Sequence, residues 1–218
     1  MRVQAFRSVL IVGTLAGASL ACQAISSLGG DAAILKDDFS KSDSGWGTGT
    51  DDESSVEYVS GGLHFKIFKP NFFTWSNTGQ DEYENVHMEV TVSNNTGDTR
   101  AGMGLMCNQQ SVSNSYYYFA ITSVGEYVIG KSALGQDDVF LTNNDDWAVS
   151  DQITKNAGSY RIGADCKGGD LTLYVDGKKI DSASDSDYTN GQVGLFLWSG
   201  DDPAGEVTYD DFVMTALK

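Results

Sequence analysis

Val86-His87-Met88-Glu89-Val90-Thr91-Val92 alternates strictly, with Val86, Met88, Val90 and Val92 on one side and polar residues on the other. Successive side chains of a strand point to opposite faces, so this period of two predicts a strand with one face in a core. The pattern continues outward from there. Leu171-Thr172-Leu173-Tyr174-Val175 is joined to Tyr160–Cys166 by Lys167-Gly168-Gly169-Asp170, and runs directly into Asp176-Gly177. Such a two-residue turn needs positive φ, and Asp-Gly supplies it. Val56–Val59 and Leu63–Phe68 read as a hairpin across Ser60-Gly61-Gly62. Tyr116–Thr122 and Glu126–Ile129 flank Ser123-Val124-Gly125, and Val193–Trp198 and Val207–Met214 close the chain. Turn signals recur about every 8–12 residues, as in a sandwich or jelly roll. Two prolines and 25 glycines fit, since sheet interiors exclude Pro and turns use Gly. Only Val149–Ala157 invites a short helical turn. The predicted fold class is all-β: two packed antiparallel sheets in a jelly-roll sandwich.

The N-terminus reads differently. Arg2 and Arg7 precede an apolar, uncharged run from Val9 to Leu20, and Ser19-Leu20-Ala21 ends in small residues before Cys22. This is the layout of a secretory signal over residues 1–21, too short for a stable membrane span. Ser19 and Leu20 are a non-standard lipobox. The expectation is an exported protein held at the cell surface or periplasmic face by a lipid on Cys22, with cleavage at the same bond by ordinary signal peptidase as the alternative. Residues 22–33, rich in small residues, form a tether, and residues 34–218 form one domain, long enough for a real core. If Cys22 carries lipid, Cys107 and Cys166 remain as an even pair in an oxidising compartment.

Setting aside Arg2 and Arg7 from the 14 Lys and Arg leaves 12 against 30 Asp and Glu, a formal net charge near −18. Such a surface repels phosphate backbones and anionic headgroups, which argues against a nucleic-acid partner and leaves membrane contact to the lipid anchor.

Several segments together carry a resemblance. Asp37-Asp38-Phe39 with Ser44-Gly45-Trp46, Gly61-Gly62-Leu63, Ala101–Cys107, Tyr116-Tyr117-Tyr118-Phe119, Leu171–Gly177, Gly191-Gln192-Val193-Gly194-Leu195 and Tyr209-Asp210-Asp211-Phe212-Val213 follow in order. The series resembles the concanavalin A-like lectin/glucanase superfamily, and within it the laminin-G-like and 3-keto-disaccharide-hydrolase-like modules of bacterial surface proteins. The resemblance spans residues 34–218. It implies a jelly roll whose first and last strands are adjacent, and a cysteine pair between the strands that hold Cys107 and Cys166. It also implies a structural ion where those terminal strands meet, implicating Asp38 and Asp211 as calcium ligands. The superfold hosts lectins, hydrolases and structural modules alike, so function must come from the residues.

A glucanase on this fold would carry two carboxylates on one strand, spaced as Glu-x-Asp-x-x-Glu and facing a cleft. Asp81, Glu82 and Glu84 lie in a turn with the wrong spacing, and Glu89 has no acidic neighbour two or four residues away. His64 and His87 read as exposed strand residues without a cysteine partner for zinc. No Gly-x-Ser-x-Gly elbow or phosphate-binding loop occurs. The acidic loops could supply oxygen ligands to calcium, although Asp185–Gly191 misplaces the glycine of an EF-hand.

The aromatics point to recognition. Sugar rings present apolar C–H faces to Trp and Tyr, while Asn and Asp take the hydroxyls. Phe73, Trp75 and Asn77 alternate onto one face, and Tyr116 and Tyr118 onto another, with Tyr117, Phe119 and Ile121 assigned to the core. Tyr116, Tyr118, Trp75, Asn77, Tyr127 and Lys131 are therefore the expected ligand set on the concave sheet, whereas Trp46 and Trp198 are expected to fill the core. The reading is a non-catalytic module binding carbohydrate. The alternatives are a hydrolase of the 3-keto-disaccharide or family-16 glucanase type, and a structural domain that binds an extracellular protein.

Overall fold

The computed structural model describes residues 32–218 except Gln80 and Asp98. The signal at 1–21, Cys22 and most of the tether therefore lie outside the described residues. Among the described residues there are sixteen strands: β1 (Ala33–Asp37), β2 (Gly49–Thr50), β3 (Ser54–Val59), β4 (Gly62–Ile67), β5 (Phe73–Asn77), β6 (Val86–Asn94), β7 (Gly102–Gln109), β8 (Tyr116–Ile121), β9 (Glu126–Ser132), β10 (Val139–Phe140), β11 (Ala148–Val149), β12 (Ser159–Lys167), β13 (Asp170–Val175), β14 (Lys178–Ser184), β15 (Gln192–Trp198) and β16 (Gly205–Ala216). They form two antiparallel sheets. The nine-stranded sheet runs β14-β13-β12-β6-β16-β4-β3-β2, with β1 also paired to β16; the seven-stranded sheet runs β10-β9-β8-β7-β15-β5, with β11 on β9.

The alternation in β6 does what its sequence predicts: Val86, Met88, Val90 and Val92 are all buried. They meet Leu105, Tyr117, Phe119 and Ile121 from the facing sheet in one core cluster. Full burial of each large apolar side chain is worth roughly 1.5–3 kcal/mol, so this inter-sheet layer is the main stabilising element. The turn at Asp176-Gly177 has φ of 50° and 74°, as a two-residue hairpin requires. The hairpin between β3 and β4 is tighter than predicted: Ser60 and Gly61 (φ 53° and 85°) make the turn, and Gly62 already belongs to β4. No helix forms over residues 149–157, where β11 gives way to turns.

The terminal strands are adjacent, with β1 antiparallel to the second half of β16. Beside them Trp46 closes one end of the core. Its Nε1–H donates to Asp37 Oδ2 at 2.9 Å, and its ring meets Phe39 and Phe212 edge-on at 5.5 and 5.1 Å. Cys107 on β7 and Cys166 on β12 form a disulfide across the two sheets, with both residues buried. Tyr209, fully buried on β16, also crosses the core. Its hydroxyl donates to the Phe196 carbonyl at 2.5 Å and accepts from the Gly104 N–H at 2.9 Å, tying β15 and β7 to the opposite sheet.

Candidate carbohydrate-binding face

Cross-strand register decides which side chains share the outer face of the seven-stranded sheet. Asn77 stands opposite Gly194, Gly194 opposite Met106, Met106 opposite Tyr118, and Tyr118 opposite Gly130. One step along, Trp75, Phe196, Gly104, Ala120 and Val128 line up in the same way. Residues directly opposite each other project to the same side, so Trp75, Asn77, Tyr116 and Tyr118 share the face turned away from the core.

Tyr127 and Lys131 do not. Tyr127 is opposite the core residue Ile121 and Lys131 is opposite Tyr117, so both project toward the nine-stranded sheet. There the Tyr127 hydroxyl donates to Asp181 at 2.9 Å, and Lys131 Nζ donates to Asp185 and Asp187, each at 2.6 Å. The expectation that these two join the ligand set is corrected by strand parity: an odd offset from Tyr116 and Tyr118 through the hairpin puts them on the opposite face. Trp198 is corrected in the other direction. It lies opposite Phe73 on the outer face rather than in the inter-sheet core.

The face carries a cleft of about 340 Å³, walled by Phe73, Tyr116, Tyr118, Phe140, Trp147 and Trp198 over Ala120 and Phe196. The rings order one another. Phe73 stacks on Phe196 at 5.1 Å, and Trp147 stacks on Trp198 at 5.8 Å with 14° between planes. Phe140 meets Trp147 edge-on at 6.2 Å. Phe140, Trp147 and Phe196 carry no site signal in the sequence. Phe73 was placed on the right face but left out of the ligand set, and Phe140 and Trp147 sit in short or irregular segments where periodicity gives no signal.

Glycine makes room for this packing at two places. A Cβ on Gly130 would stand 2.3 Å from the Tyr118 ring, and one on Gly102 would meet both Trp147 and Trp198 at 3.3 Å. Tyr116 and Tyr118 are consequently buried as walls of the cleft, whereas Trp75 is 43% exposed at its rim. Burial pushes the Tyr118 phenol well above its ordinary value, and the Asp138 carboxylate beside it adds to the shift. Tyr116 shifts upward as well, again chiefly through burial. Both remain neutral hydroxyl groups over any working pH. Among the described residues Asp138 is the one carboxylate lining this cleft.

A row of amides adjoins the rim. Asn77 Nδ2 donates to Gln109 Oε1 at 3.0 Å and to Gln192 Oε1 at 3.1 Å, while Gln109 Nε2 donates to Asn114 Oδ1 at 2.8 Å. Together with Trp75 these side chains line a second depression.

The remaining candidates lie elsewhere. Glu82 accepts from Asn190 in a loop. His87 and Glu89 lie on the outer face of the nine-stranded sheet within an ion-pair network, not as the exposed, isolated groups the sequence implies. His87 Nδ1 is 2.6 Å from Asp165, Nε2 is 3.4 Å from Glu89, and Arg161 bridges to Glu89 at 3.2 Å. His64 pairs with Glu206 at 3.0 Å.

Asp38 and Asp211, the expected calcium ligands, line one cleft where β1 meets β16. Asp38 Oδ1 accepts from Ser40 N and Oγ, and Asp37 is occupied by Trp46 and Phe39. The Asp211 carbonyl accepts from the Arg161 guanidinium at 2.6 Å, and Lys36 and Lys41 line the same cleft. Two lysines and a guanidinium thus lie near these oxygens, and two carboxylates are fewer than the six to eight oxygen ligands that calcium takes. Among the described residues no group of three or more His, Cys, Asp or Glu side chains is placed to share a metal.

No protein-family model matches the chain, and no curated protein matches it in sequence. Solved structures match it in fold. The carbohydrate binding module CBM66 from Bacillus subtilis is similar at TM-score 0.56 and 15% identity, over 79% of this chain and 96% of that one. A Bacillus licheniformis beta-glucanase matches at TM-score 0.55 and 13% identity, over 88% and 100%. The catalytic domain of an endo-1,3-beta-glucanase (laminarinase) from Thermotoga petrophila RKU-1 matches at TM-score 0.59 and 10% identity, over 87% and 99%. The chain thus has the concanavalin A-like jelly-roll fold that its sequence resembles.

Proposed function

We propose that this chain is an exported, non-catalytic recognition module that binds carbohydrate on the outer face of its seven-stranded sheet, and that a lipid on Cys22 holds it at the cell surface. The observation that carries the binding reading is the aromatic cleft flanked by the Asn77–Gln109–Gln192 amide row. Apolar sugar faces stack on such rings, and ordered amides and a carboxylate satisfy the hydroxyls at the edge. An apolar concavity with a few convergent polar groups is the usual form of a small-molecule site. The fold supports the reading to the extent that a carbohydrate binding module is among the structures that share it.

Hydrolysis of a glycosidic bond needs two carboxyl groups about 5–5.5 Å apart for retention or about 6.5–9.5 Å for inversion. Among the described residues Asp138 is the one carboxylate lining the aromatic cleft itself; Asp145, which also acts on Tyr118, and Asp146, which lines the adjoining depression, sit in the turn after β10 rather than as a carboxylate pair on a strand. This favours binding over catalysis. A purely structural or protein-binding role is less well supported, because such a role gives no reason for an amide row beside a half-exposed Trp75.

A glycan-array screen of the purified protein, with calcium and then with EDTA, tests the proposal, alongside a reducing-sugar assay on any glycan bound. The expected result is saturable binding that Trp75→Ala weakens, without product release. Absence of binding in both conditions would overturn it, and product release would replace it with the hydrolase reading. Loss of binding in EDTA would make calcium part of the site. Mass spectrometry of the exported protein reports the diacylglycerol expected on Cys22.

A further inference from the structure

The aromatic cleft lies between two further depressions, one sharing its walls and the other beginning at the neighbouring ring. Trp147 and Trp198 line both it and a neighbouring depression formed with Arg100, Glu126, Asp146 and Asp202. On the other side, Phe73 of the cleft and Trp75 of the amide-lined depression have ring centroids 6.0 Å apart. The series follows β15, from Gln192 in the amide-lined depression to Trp198 beside the acidic one. Seven strand residues at ~3.3 Å each give a groove of roughly 20 Å, which is longer than one sugar ring.

Its charge is one-sided. The acids lining the three depressions are Glu82, Glu126, Asp138, Asp146, Asp201 and Asp202. Arg100 is the one cation lining them, and its guanidinium is 3.2 Å from Glu126. Lys131, which could have offset them, projects to the other side of the sheet and is held by Asp185 and Asp187.

Resting on the carbohydrate reading above, we infer that the groove holds several consecutive units of an uncharged polysaccharide and rejects anionic chains. Rings of the chain stack on Trp75, the central cleft and the Trp147–Trp198 pair, with the amide row taking hydroxyls at one end. A uronate, sulfate or sialate on any of these units would face six carboxylates against one guanidinium, Arg100, which is already paired with Glu126. Like charges juxtaposed in this way are a device for excluding wrong partners.

The test uses three neutral polymers of different linkage (a β-1,3-glucan, a β-1,4-mannan and a fructan) and the carboxymethyl derivative of each. Binding is measured for the full protein and for Asp146→Asn/Asp201→Asn, in low and in moderate salt. Asparagine keeps the oxygen at position 146 that accepts the Trp147 N–H. At least one neutral polymer should bind, its tetrasaccharide more than tenfold tighter than its monosaccharide, and its carboxymethyl derivative at least tenfold weaker than the parent. That ratio should fall to about threefold or less in the double variant, and should shrink with added salt as screening predicts. Equal binding of a neutral polymer and its carboxymethyl derivative, or of monosaccharide and tetrasaccharide, would overturn the inference and leave the carbohydrate reading standing. Failure of all three neutral polymers would overturn both.

Discussion

Trp75, Tyr118 and His87 each show how a side chain's surroundings set what it can do. Trp75 is at the rim and contributes little to the core, so removing it should affect ligand rather than fold. Tyr118 is a wall of the cleft and lies across Gly130. Gly130→Ala drives a methyl group into that ring, and the expected cost is about 1–3 kcal/mol in denaturant unfolding, with weaker glycan binding as the ring shifts. An unchanged midpoint would mean that Tyr118 is not seated as described. His87 offers a pH test. Hydrogen bonds to Asp165 and then Glu89 raise its pKa to about 9 from an ordinary 6.5, against the opposing effect of burial. A raised folded-state value makes the protonated ring favour the folded state. The stabilisation is complete below about pH 6.5 and is lost as pH rises toward 9. Unfolding measured at pH 6 and at pH 9.5 should show a loss on the order of 1–3 kcal/mol that His87→Phe removes. A parallel decline in both proteins would contradict the assignment.

Strands and their register explain why the fold was legible and half of the site was not. The alternation in β6 and the Asp176-Gly177 turn are local signals, and local physics decides them. Alternation in β8 separates Tyr117, Phe119 and Ile121 from Tyr116 and Tyr118 without saying which set is core; the structure puts the first set between the sheets, as assigned. Tyr127 and Lys131 were misplaced because their face depends on hairpin register, which a slip of one residue inverts. Trp198 was misplaced for a related reason. A large aromatic near a strand end reads as core, yet its parity against Phe73 puts it outside. Phe140 and Trp147 reach the cleft through β10 and the segment before β11, too short for any period to appear. Tyr209 makes a link between elements that no local pattern announces. Tyr209→Phe leaves the Phe196 carbonyl and the Gly104 N–H without their shared partner in the core. The expected cost is about 1–3 kcal/mol, and a smaller change would mean that the Gly104 N–H and the Phe196 carbonyl find other partners.

At the scale of the whole molecule, two sheets are joined by an apolar layer, by the Tyr209, Tyr117 and Tyr127 hydroxyls, by the Lys131–Asp185 ion pair and by the Cys107–Cys166 disulfide, and the outer face of the smaller sheet carries the candidate binding surface. Cys107–Cys166 spans 59 positions, so replacing both cysteines by alanine should lower stability by about 4 kcal/mol in the chain-entropy model. The binding surface should persist wherever the variant remains folded, because the aromatic walls do not rest on the sulfurs. A variant of wild-type stability would show that the apolar layer alone fixes the sheets. The central claim is that the outer aromatic face binds carbohydrate, and calorimetric titration with the tightest array glycan tests it most directly, comparing the native protein with Trp75→Ala. Saturable binding that weakens about tenfold or more, on the order of 1.4 kcal/mol, in a variant with an unchanged unfolding midpoint is the predicted result. Equal affinity in the two proteins would place the binding site somewhere other than this face.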